Sequence, residues 1–152
     1  MPIRTALALV LTALAVAVLA TVHDAPAGDS TGVTLIVRDS KYGRVVFDGS
    51  KRALYAFTRD RPGRPSTCYG ACATAWPPYV VSGKLKPGAG TKPSLYGTTR
   101  RRDGSRQLTY RGWPLYHYVS DPVGQVLCQD VSEFGGLWLV VRPSGQLVRL
   151  RR

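Results

Sequence analysis

The residues best suited to chemistry fall in a motif that occurs twice, Tyr-x-aromatic-x-x-Asp. Converging phenol hydroxyls and carboxylates could bind a cation or a glycan, although two carboxylates are few for calcium. A structural explanation needs no ligand: aromatic residues two apart on a strand share a buried face, and the aspartate bonds backbone N–H groups two residues on to start a turn. We prefer this explanation because it accounts for every motif position. The motif residues are Tyr55, Phe57, Asp60, Tyr116, Tyr118 and Asp121.

Three cysteines, Cys68, Cys72 and Cys128, form the second reactive group. In an exported protein they imply at least one disulfide and one free thiol. Cβ atoms four residues apart on a regular helix lie ~6 Å from each other, too far for a disulfide, so Cys68 and Cys72 can pair only across a turn at Tyr69-Gly70. The alternative joins Cys128 to Cys68 or Cys72 and staples two parts of the chain together.

Redox or metal chemistry is another possible use of these cysteines. The three-residue gap between Cys68 and Cys72 differs from the two-residue gap of thioredoxin-type motifs. His117 is the only histidine beyond residue 27, and it alternates away from Tyr116 and Tyr118, so we expect it to face solvent. The sequence also lacks a recognisable Ser/His/Asp arrangement and a phosphate-binding glycine loop. We therefore predict a protein that is not an enzyme and that has no cofactor and no metal site.

The amino terminus has the layout of a secretory signal peptide. Arg4 precedes an apolar run from Thr5 to Ala20, and small residues permit cleavage after Ala20 or Ala27, which assigns residues 1–27 to the leader. The run is shorter than the ~20 residues of a membrane span. Because no cysteine lies near either cleavage site, we predict a secreted or envelope protein without a lipid anchor.

The chain is strongly basic, with 21 Lys and Arg against 9 Asp and Glu. The leader carries one charge of each sign, Arg4 and Asp24, so the net charge of +12 is the same without it. Such a surface favours contact with anionic cell-wall polymers or a membrane surface. The arginines are scattered over turns, so a simply solvated basic face is the alternative, and we predict no specific nucleic-acid partner.

Short apolar runs alternate with turn signals, which is typical of antiparallel sheet. We predict two three-stranded meanders, a final hairpin, a short helical segment at 69–76 and a surface loop at 83–93. The fold class is therefore mainly β. The predicted strands are 33–37, 45–47 and 53–57, then 95–99, 107–110 and 113–119, and lastly 137–142 and 146–150.

The second half of the chain repeats the first with an offset of about 61 residues. The motifs align, Cys68 aligns with Cys128, and Trp76 aligns with Trp138. A three-stranded unit buries too little apolar surface alone, so we expect one domain, 33–150, with a pseudo-twofold axis and a sandwich or barrel-like architecture. Repeat 1 spans about 33–82, the linker 83–93 and repeat 2 about 94–145.

These motifs, together with Cys68-Tyr-Gly-Ala-Cys72, Trp76-Pro-Pro and Gly135-Gly-Leu-Trp138, resemble the bacterial "secreted repeat of unknown function" family over residues 33–145. The resemblance implies an extracellular or envelope protein with no established activity. Family members are described as predicted lipoproteins, and this chain departs from many of them in lacking the lipobox cysteine. The family's pattern also favours a disulfide between Cys68 and Cys72, which leaves Cys128 buried or paired between chains.

Three functions follow from these observations. The leading hypothesis is a non-catalytic secreted or envelope module that associates with anionic cell-surface polymers. The second is a redox or metal-handling protein that uses Cys68, Cys72 and Cys128. The third is a structural or partner-binding domain with an aromatic surface around Trp113.

Overall fold

The computed structural model describes residues 34–150. The predicted signal peptide, 1–27, lies outside the described residues. None of the helices within 34–150 has the length and apolar character needed to cross a membrane.

The described chain is mainly β, as predicted, and has nine strands and one short helix. The helix, α1, spans Ala71–Ala75 and confirms the predicted helical segment. A single 3₁₀ turn, Pro93–Leu95, precedes the second repeat. The strands are β1 Thr34–Ser40, β2 Gly43–Asp48, β3 Tyr55–Phe57, β4 Lys86–Pro87, β5 Tyr96–Arg100, β6 Arg106–Tyr110, β7 Trp113–Pro114, β8 Val131–Glu133 and β9 Gly136–Val140.

The strands form three three-stranded sheets, in the orders β2-β1-β4, β3-β9-β8 and β5-β6-β7. The hairpins β1–β2 and β5–β6 are antiparallel, with Val37 opposite Val46 and Thr98 opposite Leu108. No closed barrel forms among the described residues. The expected surface loop at 83–93 is partly ordered into sheet, because β4 pairs in parallel with β1.

The third strand of each predicted meander leaves its own hairpin after a short contact. In repeat 1, Ala53 still bridges Phe47, but β3 then pairs with β9 of repeat 2. In repeat 2, Pro114 pairs with Thr109, and Tyr116 then bridges both Tyr55 and Pro78. The predicted meander is found in repeat 2 as the sheet β5-β6-β7, whereas in repeat 1 the third strand, β3, pairs with β9, because sequence periodicity identifies a strand but not its partner.

The C-terminal segment of each repeat completes the sheet of the other. Val46 of repeat 1 donates its N–H to the carbonyl of Val141 at 2.8 Å. The equivalent bond, also 2.8 Å, joins Leu108 of repeat 2 to the carbonyl of Tyr79 in repeat 1. Both halves make the same contacts in exchange, which fits the predicted pseudo-twofold axis.

Alternation along the central strands builds two apolar clusters. Val45, Phe47, Tyr55 and Phe57 face one cluster, whereas the residues between them, including Val46, face the other. Strands β2 and β3 are thus buried on both faces over these residues, and this burial explains their unbroken apolar sequence. The motif lies where these strands meet their counterparts from the other repeat.

Candidate functional site

The two motif tyrosines, Tyr55 and Tyr116, lie opposite each other at the centre of the domain. Each donates its backbone N–H to the carbonyl of the other at 2.9 Å. Both side chains are 0% exposed. This reciprocal pair marks the point where the pseudo-twofold axis passes between the repeats.

The tyrosine hydroxyls bond to the motif aspartates of the opposite repeat. Tyr55 Oη donates to Asp121 Oδ2 at 2.5 Å, and Tyr116 Oη donates to Asp60 Oδ2 at 2.6 Å. All four residues are buried, with Asp60 2% and Asp121 8% exposed. The motif tyrosines and aspartates therefore form a pair of crossed tyrosine–carboxylate bonds inside the core, and these four side chains are buried.

The second oxygen of each aspartate orders the segment that follows it. Asp60 Oδ1 accepts bonds from the N–H and the hydroxyl of Thr67, both at 2.7 Å. Asp121 Oδ1 accepts the N–H of Leu127 at 3.2 Å. The predicted bond from each aspartate to the backbone two residues on is wrong, because these carboxylates point into the core and bond Thr67 and Leu127, which are seven and six residues on.

Burial shifts the pKa values of Tyr55, Tyr116 and Asp121. It raises the pKa of Tyr55 and of Tyr116 far above the ordinary value of 10.0, and the neighbouring carboxylates raise both further. Burial also raises the pKa of Asp121, against the opposing effect of the bond from Tyr55. Both tyrosines are therefore neutral hydrogen-bond donors throughout the physiological pH range.

A four-ring stack crosses the axis beside these tyrosines. The central rings of Trp76 and Trp138 are 4.0 Å apart and nearly parallel, at 3°. Phe57 stacks on Trp138 at 4.2 Å, and Tyr118 packs on Trp76 at 4.7 Å. The motif's second aromatic position thus caps the tryptophan of the opposite repeat. The expected placement of both motif aromatics on one apolar face is confirmed.

The two tryptophans differ in their hydrogen bonding. Trp76 Nε1 donates to Glu133 Oε2 at 2.8 Å. Trp138 Nε1 is buried and has no acceptor among the described residues. The ring stack is therefore symmetric in its packing but asymmetric in its polar contacts.

Arg101 is a site residue that the sequence analysis missed. It is only 6% exposed, and its guanidinium donates to Ser66 Oγ at 3.0 Å, Gln107 Oε1 at 2.7 Å and the carbonyl of Cys68 at 2.8 Å. Ser66 in turn bonds the hydroxyl of Tyr116 at 2.7 Å. A chain of hydrogen bonds therefore connects Arg101 to Asp60 through neutral groups. In the sequence, Arg101 stands within a run of three arginines and looks like a turn residue.

His117 does not face solvent as predicted. It is 9% exposed, and its Nε2 lies 2.8 Å from Asp48 Oδ2. Alternation does turn it away from the cluster of Tyr116, but repeat 1 covers the opposite face too. Burial acts to raise the pKa of Asp48, but hydrogen bonds from His117 and the N–H of Arg52 outweigh it and hold the pKa below 3.8.

The cysteines divide as the family resemblance implied. Cys68 and Cys72 form a disulfide, with their Cα atoms 5.3 Å apart, and Gly70 between them adopts a φ of 56°. Cys128 is a half-buried free thiol. Burial and nearby carboxylates raise its pKa, so it is mostly protonated at neutral pH. Within residues 34–150, no three Cys, His, Asp or Glu side chains are grouped as metal ligands.

Two of the recesses on the described surface contain aromatic residues and arginine. The first, here called the basic groove, encloses about 470 Å³ and is lined by Arg111, Trp113, Gly145, Gln146, Leu147 and Arg149. The second, here called the aromatic recess, encloses about 390 Å³ and is lined by Phe57, Arg59, Thr67, Tyr69, Ala71, Cys72 and Phe134. Both combine aromatic side chains with arginine.

The fold and the crossed motif define the class: an internally duplicated β protein in which two repeats share one core. A family model described as a secreted repeat of unknown function matches residues 36–79 and 97–142, more than half of the chain. The chain belongs to this family, whose description supports an extracellular or envelope location. Comparison with curated proteins and with solved structures gives no match.

Proposed function

We propose that this protein is a non-catalytic secreted or envelope module that binds anionic cell-surface polymers through its basic face. The observation that carries the proposal is that acidic and basic side chains are distributed differently between the core and the surface. Three carboxylates, those of Asp48, Asp60 and Asp121, are buried, whereas Arg111 and Arg149 are exposed in an open groove. The buried motif supports the same proposal, because its tyrosines and aspartates stabilise the core, so a polymer can bind only to other residues at the surface.

The carboxylates of five residues accept hydrogen bonds from the protein itself. Asp48, Asp60 and Asp121 are buried, and each is bonded within the domain. Asp103 accepts the N–H and hydroxyl of Ser105, and Glu133 accepts the indole N–H of Trp76. With three carboxylates buried and 21 Lys and Arg against 9 Asp and Glu in the chain, most of the surface field comes from arginine and lysine, and this field attracts polyanions.

The basic groove is the best place on the surface for such a polymer. Arg111 and Arg149 are exposed, and they flank Trp113, which is half-buried. Guanidinium groups bind phosphate and carboxylate oxygens in pairs, while an indole face packs on a sugar or glycerol backbone. The groove thus offers two cations and one flat apolar surface for a repeating anionic chain.

The proposal predicts salt-sensitive binding that depends on the groove. Purified protein should be retained on heparin and on isolated cell walls at low salt and should elute as NaCl rises, because salt screens exposed charges. The double variant Arg111→Gln/Arg149→Gln should elute at clearly lower NaCl than the control Arg61→Gln/Arg64→Gln. Both variants lose two charges, and Arg61 and Arg64 are exposed in another loop.

Failure to bind either matrix at low salt would refute the polymer proposal. Equal elution of the two double variants would refute the role of the groove and leave only the net charge. Anionic vesicles of phosphatidylglycerol provide a third matrix, and tighter binding to them than to cell walls would favour a membrane surface as the partner.

A further inference from the structure

The aromatic recess lies at the position in repeat 1 that the pseudo-twofold axis relates to Glu133 of repeat 2, and repeat 1 has no carboxylate there. Trp138 has a buried indole N–H without an acceptor in the described chain, whereas its counterpart Trp76 donates to Glu133. Buried donors are almost always paired, and an unpaired one is costly. The two indoles are otherwise equivalent, since each is packed edge-on by a motif tyrosine at 5.2 Å, Tyr55 on Trp76 and Tyr116 on Trp138.

Symmetry locates the expected acceptor. Glu133 accepts the indole N–H of Trp76, whose ring packs on Tyr118, and the charge of Glu133 contributes to raising the pKa of Tyr118 and of Cys128. The counterpart of Tyr118 is Phe57, and the counterpart of Cys128 is Cys68, which is buried and directly follows Thr67. Both Phe57 and Thr67 line the aromatic recess. With Trp76 aligned to Trp138, the helix α1 stands where repeat 2 has the end of β8 and the turn into β9, and Ala71, which lines the recess in the position of Glu133, has no acceptor group.

The walls of the recess fit an aromatic carboxylate. Phe57, Tyr69 and Phe134 provide ring surfaces beside the disulfide at Cys72. Arg59 provides a cation at the rim, where its guanidinium donates to the carbonyl of Phe134 at 3.0 Å. The guanidinium groups of Arg101 and Arg102 lie 4.4 Å and 4.3 Å from the ring centre of Tyr69 and add positive charge behind that wall.

Phe134 occupies its position against the local backbone preference. It is 40% exposed and has a φ of 53°, in a two-residue turn with Gly135 at 79°. Such turns favour Asn-Gly, and a bulky aromatic residue at positive φ is strained. Strain of this kind is concentrated at ligand sites, where the side chain has another use.

We infer that the aromatic recess binds a carboxylate joined to an aromatic group, such as a free aromatic acid or the C-terminus of a peptide that ends in an aromatic residue. The ligand ring packs between Tyr69 and Phe134, and its carboxylate pairs with Arg59 and accepts the indole N–H of Trp138. That N–H is buried in this structure, so the floor of the recess has to open toward Trp138 when the ligand enters. This inference does not depend on the polymer proposal.

Nuclear magnetic resonance of the indole N–H groups tests the inference directly. The full chain has three tryptophans and thus three indole signals, which the variants Trp113→Phe and Trp138→Phe assign. Addition of N-acetylphenylalanine or 3-phenylpropionate should move the Trp138 signal downfield and leave the Trp76 signal nearly unchanged. Neutral N-acetylphenylalaninamide should bind at least about tenfold more weakly, because it lacks the charged acceptor.

The peptide acid acetyl-Gly-Gly-Phe distinguishes the two ligand sources. Tighter binding of this peptide than of 3-phenylpropionate assigns the recess to peptide C-termini, and the reverse order assigns it to free aromatic acids. If none of the acids moves the Trp138 signal at millimolar concentration, or if they bind while that signal stays fixed, the inference is wrong.

Two substitutions separate binding from folding. Arg59→Gln should weaken binding of N-acetylphenylalanine about tenfold or more, whereas Arg61→Gln, an exposed neighbour with the same charge change, should leave it unchanged. Phe134→Asn should raise the melting temperature, because asparagine suits the turn, and should still weaken binding, because one ring wall is lost. A Phe134→Asn protein that binds as well as the natural chain would overturn the inference.

Discussion

Each motif residue has a structural task that crosses the axis. The hydroxyl of Tyr55 donates a hydrogen bond to Asp121 that offsets part of the free-energy cost of burying this carboxylate, and the hydroxyl of Tyr116 does the same for Asp60. Hydrogen bonds to a buried carboxylate are stronger than neutral ones, so losing the donor is costlier than losing an ordinary contact. The spacing Tyr-x-x-x-x-Asp is therefore set by the partner repeat and by the following loop.

The raised pKa values of Tyr55 and Tyr116 predict steep loss of stability in alkali. Their unfolded pKa is about 10, and the folded value is higher, so their stabilising contribution is complete below pH 10 and falls as the pH rises above it. Each tyrosine should contribute a slope of up to ~1.4 kcal/mol per pH unit. Urea titrations between pH 9 and 12 measure the free energy of unfolding that checks this.

Tyr55→Phe is the matched variant for the alkaline titration. It should cost about 1–3 kcal/mol at pH 7, since Asp121 is left buried without that donor, and it should reduce the alkaline slope by one group. Tyr42→Phe, at a half-buried tyrosine outside the motif, is the control. An unchanged slope in Tyr55→Phe would show that another group causes the alkaline loss.

The sequence alone identified these residues but not the residues to which they are hydrogen-bonded. Alternation correctly placed Tyr55 with Phe57, and Tyr116 with Tyr118, on one buried face. Alternation also correctly predicted that His117 points away from that face, but it cannot show that a second layer of the protein covers the face on which His117 lies. The burial of Arg101 was equally hidden, because a guanidinium satisfied by Ser66, Gln107 and a carbonyl leaves no pattern in the chain.

At the scale of elements, equivalent loops of the two repeats are joined by equivalent backbone bonds. Gly63 donates to the carbonyl of Gly112 at 2.9 Å, and Gly124 donates to the carbonyl of Lys51 at 2.7 Å. Gly112 and Lys51 both have positive φ, 78° and 67°. The same left-handed turn is thus built once with glycine and once with lysine.

The approach of the backbone at Gly112 predicts different tolerance of the two turns. A Cβ at Gly112 would lie 2.8 Å from the backbone nitrogen of Gly63 and 3.1 Å from Pro62, so Gly112→Ala should destabilise the protein by about 1–3 kcal/mol. Lys51 already has a Cβ at this position and is exposed, so Lys51→Ala should change the free energy of unfolding by less than about 0.5 kcal/mol. Thermal unfolding of both variants gives the comparison, and equal effects would contradict it.

The element boundaries could be predicted where local signals are strong, as in β1, β2, β5 and β6. The pairing of β3 with β9 could not, because both strands are short and buried and carry no register signal beyond their apolar character. The same limit applies to Tyr79 and Val141, whose positions follow Pro-rich or glycine-rich segments and whose partners lie in the other repeat.

At the scale of the molecule, the exchanged strands make the two repeats one cooperative unit. Neither repeat alone has a partner for its motif tyrosine, its tail segment or its stacked tryptophan. The duplication predicted from an offset of about 61 residues therefore predicts the shared core correctly. The offset alone does not reveal how completely the two halves depend on each other.

Cutting the chain between Gly90 and Thr91 tests this dependence. Fragments 28–90 and 91–152 should each be unfolded alone, because every central contact is missing, and should form a native one-to-one complex when mixed. Near-ultraviolet circular dichroism and gel filtration report folding and stoichiometry. A fragment that folds by itself would show that the repeats are independent units.

The crossed bonds of the motif also have a meaning for how such a protein can arise. The central contacts across the axis, which are the paired backbone bonds of Tyr55 with Tyr116, the crossed tyrosine–aspartate bonds and the ring stack, are isologous: each element meets its own counterpart, as in a twofold homodimer. A gene that encoded a single repeat would therefore specify a complete core as soon as two of its products met. Joining two copies end to end keeps that core and frees each copy to change alone, and the disulfide of Cys68 with Cys72 and the carboxylate of Glu133, each present in only one half, are changes of this kind.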